Sequence, residues 1–193
     1  GAAVGDFDAD GRDDLFVTAW NGQRLYRNEG AGRFVDVTHR AGLDDPEGWS
    51  VSAAWGDLDL DGDLDLAIAR YVHFDRLQPP FCFAPDGRPD YCGPEDFRAL
   101  GARVYRNDGE GRFTDVTRSA GLAQSVRPAL GVLIADLVGD GRPDLYFAND
   151  GVPCSLLENL GGLRFREVAV GAGVAVSGSG TPLAGMGVAL ADL

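Results

Sequence analysis

A chain of 193 residues with 45% hydrophobic content has the material for a packed core, and 30 acidic against 17 basic residues give it a net charge of -13. Every basic residue is an arginine, and the summed field repels phosphate, so nucleic acid and anionic membrane are poor partners and no nucleic-acid partner is expected. No apolar run approaches the roughly 20 residues that span a bilayer, and no charged and apolar leader opens the chain, so any signal peptide is expected to have been removed or to lie outside it.

In chain order, a small apolar lead-in (AAV) runs into GDFDADGRDDLFV at residues 5–17, where alternating carboxylates give way to an apolar run. RLYRN and RFVDVT follow, separated by Asn and Gly residues that tolerate positive φ and close a hairpin. The sequence then repeats itself. SVSAAW leads into GDLDLDGDLDLAI at 56–68, followed by RVYRN and RFTDVT, and ALGVLIA leads into ADLVGDGRPDLYF at 135–147, followed by LLENLGGLRF. A fourth copy opens at GVALADL. The step is 51 residues from Asp6 to Asp57, 79 from Asp57 to Asp136 and 56 from Asp136 to Asp192, and the long step contains an insertion, so the basic period is about 50.

Each period predicts four short strands. The second of them lacks clean alternation of apolar and polar residues, which predicts sheets covered on both faces. Four-stranded units packed face to face describe an all-β chain of β-propeller blades, present as a fragment of roughly three to four. A solenoid of antiparallel units is the alternative. The blade units fall at roughly 1–48, 49–123, 124–180 and, for the start of the next, 181–193.

The pattern DxDxDGxxD places carboxylates at loop positions one, three, five and nine, a turn-permitting glycine at six and a backbone carbonyl at seven. Crowded carboxylates repel unless a cation sits among them, and this many hard oxygen ligands suits calcium over magnesium or zinc. An EF-hand is excluded, because position twelve, where it needs glutamate, holds Val17, Ile68 and Phe147. Loop one offers Asp6, Asp8, Asp10, Asp14 and the Arg12 carbonyl; loop two offers Asp57, Asp59, Asp61, Asp65 and the Asp63 carbonyl. Loop three keeps Asp136, Asp140, Asp144 and the Arg142 carbonyl but has Val138 at position three, so it is expected to bind most weakly.

The strand, loop and strand unit resembles the FG-GAP or VCBS repeats of integrin-α-like propellers. With LYRNEGAGRFVDVTHRAGL, DYCGP and AGMGVALADL, essentially the whole chain is similar to the bacterial relatives of cartilage acidic protein, the ASPIC/UnbV family. The resemblance implies an exported, calcium-loaded propeller, usually followed by a C-terminal ASPIC/UnbV domain outside this sequence. Departures are Val138 and the stretch VPCSLLEN, which puts Cys154 and Glu158 where the repeat usually reads LYRN.

The insertion at 71–103 leaves its blade between the second and third strands and is rich in proline and glycine, as a surface excursion should be. Cys82 and Cys92 bracket a short loop, which a disulfide would close in an exported protein; in a cytosolic one they would be two free thiols. Cys154 is left over, either as a small buried residue or as the partner of a cysteine elsewhere.

Enzyme signatures are lacking: His39 and His73 lie in different units without a nucleophile beside them, and carboxylates repeated with the scaffold are structural where an active site would occur once. Trp20, Trp49 and Trp55 are expected in core or blade-edge positions. The sequence therefore reads as a calcium-binding scaffold, extracellular, periplasmic or on the cell surface, that engages a protein or glycan, for example as a subunit of a surface assembly. The alternative is an accessory factor in secondary metabolism of the enediyne type, by analogy with the family name.

Overall fold

The computed structural model describes residues 1–46 and 48–191. It is all-β, with three four-stranded antiparallel sheets and one two-stranded hairpin. The first sheet holds β1 (Ala2–Gly5), β2 (Asp14–Val17), β3 (Arg24–Asn28) and β4 (Phe34–Asp36), paired in chain order. The second holds β5 (Ser50–Gly56) and β6 (Asp65–Arg70), then, after an excursion carrying the hairpin β7 (Cys82–Phe83) and β8 (Pro89–Asp90), β9 (Arg103–Asn107) and β10 (Phe113–Asp115). The third holds β11 (Ala129–Ala135), β12 (Asp144–Asn149), β13 (Ser155–Asn159) and β14 (Phe165–Glu167). The excursion thus spans 71–102, and Arg103, assigned to it on sequence, is the first residue of β9.

The sheets stack face to face, and β6 in the middle sheet is buried at all six residues, its apolar run at 66–69 together with the charged Asp65 and Arg70 that flank it. Phe7, Phe16, Leu25, Ile68 and Phe113 fill the space between the first two sheets, with Trp55 stacked on Phe7 at 6.4 Å and edge-on to Phe16 at 6.1 Å. Leu58, Val104, Leu145, Phe147 and Leu157 fill the space between the second and third. Two glycines at the ends of lead-in strands permit this approach. A Cβ on Gly5 would stand 2.7 Å from the Trp55 ring, and one on Gly56 would stand 2.6 Å from Ile134.

An Asp-x-Thr pair ties the fourth strand to the third. In the first sheet Asp36 accepts from the Thr38 N–H and hydroxyl, and the hydroxyl oxygen accepts from the Leu25 N–H at 2.8 Å. Thr38 also begins a single helical turn, α1 (Thr38–Ala41). In the second sheet Asp115 accepts from the Thr117 N–H, and the Thr117 hydroxyl oxygen accepts from the Val104 N–H at 3.0 Å while the hydroxyl donates to the Val104 carbonyl at 3.4 Å. The third sheet has Glu167 and Ala169 in these places, and the longer glutamate reaches both N–H groups itself, Leu156 at 3.1 Å and Ala169 at 3.0 Å.

Trp55 is partly buried and packs against the core between the first two sheets, while Trp20 and Trp49 form a bridge at their edge. With Tyr71, Phe74 and Phe97 they make an aromatic cluster that seats the base of the excursion. Tyr71 also donates to Asp150 at 2.7 Å, reaching the third sheet. Cys154 is half-buried rather than buried. Residues 181–191, read as the opening of a fourth unit, form no strand: a lead-in strand in this architecture pairs with the run after its own aspartate loop, and here Gly185 instead donates to the Asn149 carbonyl at 2.9 Å. Asp192, the aspartate that would open the fourth loop, lies outside the described residues.

Candidate metal centres

Each aspartate loop joins the first and second strands of its sheet, so the fold delivers three equivalent turns. In loop one the carboxylates of Asp6, Asp8 and Asp10 each offer an oxygen, all within 4.8 Å of one another. Asp57, Asp59 and Asp61 do the same in loop two. The first aspartate shapes the turn: Asp6 accepts from the N–H groups of Asp10 at 3.0 Å and Gly11 at 2.8 Å, and Asp57 from those of Asp61 and Gly62.

The third-position aspartates are the telling ones. Asp8 Oδ1 and Asp59 Oδ1 are buried and have no hydrogen-bond partner among the described residues. Burial first, and neighbouring carboxylates after it, raise the pKa of both. A buried carboxylate oxygen without a donor is costly, and a cation among the three carboxylates would satisfy that oxygen and offset the repulsion. The donor set is oxygen only, which fits a hard divalent ion.

The ninth-position aspartates are fully buried and used on both oxygens. Asp14 accepts from Phe7 N–H at 3.2 Å and Asn28 N–H at 2.7 Å, and Asp65 accepts from Leu58 N–H at 2.9 Å and Asn107 N–H at 2.8 Å. Asp144 accepts from the N–H groups of Leu137, Val138 and Asn159. Burial pushes the Asp65 carboxyl up to about 7 against the pull of its two backbone donors, and raises Asp14 as well. None of the three is ion-paired with an arginine among the described residues. Each oxygen of Asp14 and Asp65 keeps a second lone pair, so these two groups staple the loop and remain able to face an ion, whereas Asp144 Oδ2 already accepts from both Leu137 and Val138 and only its Oδ1 keeps one.

Position seven separates the loops. Arg12 donates from Nε to the Asn28 carbonyl at 2.8 Å and pairs with Asp10, and Arg142 in loop three likewise donates to the Asn159 carbonyl at 2.7 Å and pairs with Asp140. Loop two carries Asp63 there instead, so Asp61 has no arginine partner among the described residues. Loop three brings no group of three carboxylates together among the described residues: Val138 supplies no oxygen, and Asp136 accepts from Gly139, Asp140 and Gly141, whose N–H groups hold its pKa below the usual range.

Sequence reasoning missed the asparagine that ends each third strand. Its Oδ1 accepts from the glycine two residues on (Gly30, Gly109, Gly161), and its Nδ2 donates within its own sheet to the carbonyl of Asp13, Leu64 or Pro143. Asn107 and Asn159 also donate across the stack, to the carbonyls of Phe7 at 2.8 Å and Leu58 at 2.7 Å. Phe7 and Leu58 are the second residues of loops one and two. The recurring RN in RLYRN and RVYRN was the available signal; its inter-sheet partner was not.

The two remaining predicted residues, Cys82 and Cys92, are joined by a disulfide. His39 is exposed and pairs with Asp44 at 2.6 Å, away from the loops.

Comparison with known proteins places these loops in a family. The chain is 29% identical to cartilage acidic protein 1 of Mus musculus and 33% identical to that of Homo sapiens, each over 57% of its own length. It spans 18% of those relatives, less than a fifth of their length. Among solved structures, the Photorhabdus luminescens Tc holotoxin pore aligns over 86% of the chain and 7% of its own, with 21% identity and a TM-score of 0.41. The FG-GAP-like repeat profile matches residues 6–68 and 83–147, which take in all three aspartate loops, and the chain belongs to the FG-GAP-like repeat family.

Proposed function

We propose that this chain is a calcium-stabilised scaffold of β-propeller blades that works outside the cytoplasm as a platform for protein or glycan partners. The observation that carries the reading is the pair of buried, unpartnered oxygens, Asp8 Oδ1 and Asp59 Oδ1, each inside a triad of carboxylates. Asp6, Asp8, Asp10, Asp14 and the Arg12 carbonyl would hold one ion. Asp57, Asp59, Asp61, Asp65 and the Asp63 carbonyl would hold another, and Asp136, Asp140, Asp144 and the Arg142 carbonyl a third, weaker one. When bound, calcium supplies positive charge that lets the buried carboxylates ionise; no reaction is assigned to it, and the chain is read as a non-enzyme because the carboxylates recur with the scaffold.

Further blades are part of the proposal. Among the described residues Asn28 Nδ2 reaches only the Asp13 carbonyl, whereas its two counterparts each also hold the carbonyl of the preceding sheet. At the other end Leu137, the counterpart of Phe7 and Leu58, is only partly buried. The Cys82–Cys92 disulfide supports an oxidising compartment. Differential scanning of the intact protein in calcium and in chelator tests the reading: a raised melting temperature in calcium supports it, and coincident transitions contradict it.

A further inference from the structure

The repeated units serve as controls for one another, and two arginines break their pattern at one place. Arg70, the last residue of β6, stands where the first sheet has Ala19 and the third has Asn149, counting from the aspartate at loop position nine. Arg118, just after the fourth strand, stands where the first sheet has His39. Both line one cleft of about 520 Å³ at the end of the second sheet away from its aspartate loop, together with Arg103, Asp115, Leu122 and Val126. The corresponding cleft of the first sheet sets Arg24 and Arg40 against Asp36 and Asp44. In the second sheet Ala123 takes the place of Asp44, so three arginines line the cleft with one carboxylate.

These arginines are not fully used within the protein. Arg70 is only 6% exposed and shares the buried Asp45 with Arg103: their Nε atoms lie 3.0 and 3.9 Å from Asp45 Oδ2, and neither is aligned for a hydrogen bond. Arg70 Nη2 reaches Asp45 Oδ1 at 3.4 Å. Arg103 also pairs with Asp115, and Arg118 is exposed and pairs with no carboxylate among the described residues. Three arginines against Asp45 and Asp115 leave one positive charge over, in a chain whose net charge is -13. A single anionic charge matches that surplus, whereas a phosphate dianion would exceed it and meet Asp115. Beside the guanidinium groups, Leu122 and the 53% exposed Val126 give the cleft an apolar wall. We propose that this cleft binds a monocarboxylate with an apolar body. The planar guanidinium groups hold the carboxylate, and Leu122 and Val126 pack on the body. The site lies at the opposite end of the sheet from the aspartate loop, so it goes beyond the calcium reading and does not depend on it.

The test titrates the intact protein with N-acetyl-L-leucine and follows its amide NMR shifts. The expected result is saturable shifts around Arg103 and Arg118. Binding should weaken about tenfold or more in Arg118→Gln, the scale of one charge-assisted hydrogen bond, and likewise in Ala123→Asp, which restores the carboxylate of the first sheet. Both positions are exposed, so both variants should keep the melting temperature of the parent. N-acetyl-L-leucinamide, which lacks the charge, and glucuronate, which lacks the apolar body, should each bind about tenfold more weakly than the acid. The peptide Gly-Gly-Gly-Leu distinguishes the sources of such a group: tighter binding than the acid assigns the cleft to a peptide C-terminus, and weaker binding assigns it to a free acid. The proposal is overturned by an absence of saturable shifts, by leucinamide or inorganic phosphate binding as tightly as the acid, or by equal binding in the parent and both variants. Each of those results leaves the calcium dependence of melting, and with it the scaffold reading, in place.

Discussion

Asn107 Nδ2 donates to the backbone carbonyl of Phe7 at 2.8 Å across 100 residues of sequence, tying the hairpin turn of the second sheet to the inside of the first aspartate loop. Phe7 sits between Asp6 and Asp8, so the contact that joins two sheets also fixes the spacing of two candidate ligands. Aspartate loop and sheet interface are therefore one mechanical unit.

Asn107→Ala should destabilise the protein by about 1 to 3 kcal/mol, because it leaves the Phe7 and Leu64 carbonyls without their donor in a buried site. It should also weaken calcium binding at loop one. Asn28→Ala, which loses a single side-chain donation, should cost about 1 kcal/mol or less. Denaturant titration of the two variants checks the ordering.

The three loops should differ in affinity, with loop two the tightest and loop three the weakest. Arg12 occupies part of the Asp10 carboxylate, Asp63 leaves Asp61 free, and Val138 offers nothing. Arg12→Ala should therefore tighten loop one, and Val138→Asp should tighten loop three by one or two decades, about 1 to 3 kcal/mol for a charge-assisted contact. Site-resolved calcium titration would contradict this ranking if loop three filled as early as loop two.

The pH dependence follows from Asp65. Its pKa in the fold, about 7 without metal, lies above the ordinary 3.8, so the native state prefers this group protonated. In chelator the fold should lose stability as pH rises from about 4 through 7, the sign expected when the native state binds the extra proton. Calcium takes the ionised form, so its affinity should rise over the same window. Urea melts at pH 5.5 and 7.5, with calcium and with chelator, read both effects.

Much of this was legible because the sequence repeats. Four strands per unit, the aspartate turns and the RN turns follow from local residue chemistry, and the local rules recur. What was not legible depends on neighbours far along the chain. Nothing near Asn107 indicates that its amide spans to Phe7, and nothing near Asp14 or Asp65 indicates that both oxygens accept backbone N–H groups. The Asp45–Arg70 pair, 3.0 Å apart and buried, joins residues from different units and has no sequence pattern. The substitution of Asp-x-Thr by Glu167 is visible in sequence, but its equivalence appears only when one side chain is seen to reach both N–H groups.

That equivalence makes its own prediction. Glu167→Asp should lose the Leu156 N–H bond and cost about 1 to 2 kcal/mol. Adding Ala169→Thr should restore most of it, by rebuilding the arrangement of Asp36 and Thr38. A double variant no more stable than the single one would show that the two solutions are not interchangeable.

The disulfide should stabilise the excursion's hairpin and not the sheets. Cys82→Ser/Cys92→Ser should release up to about 2 to 3 kcal/mol of local constraint by the chain-entropy model. Limited proteolysis should then cut between the two positions while the main melting transition stays in place. A large drop in that transition would mean that the hairpin supports the sheets.

The most direct test of the whole account is the melting temperature of the intact protein in millimolar calcium and in chelator, together with its Asp8→Asn/Asp59→Asn variant. At a free calcium concentration one hundred times the dissociation constant, each occupied site adds about 2.7 kcal/mol to the stability of the fold. The account predicts a clear rise with calcium in the parent and a much smaller rise in the variant, whose altered groups carry the buried, unpartnered oxygens. Equal melting temperatures for the parent in calcium and in chelator would contradict it.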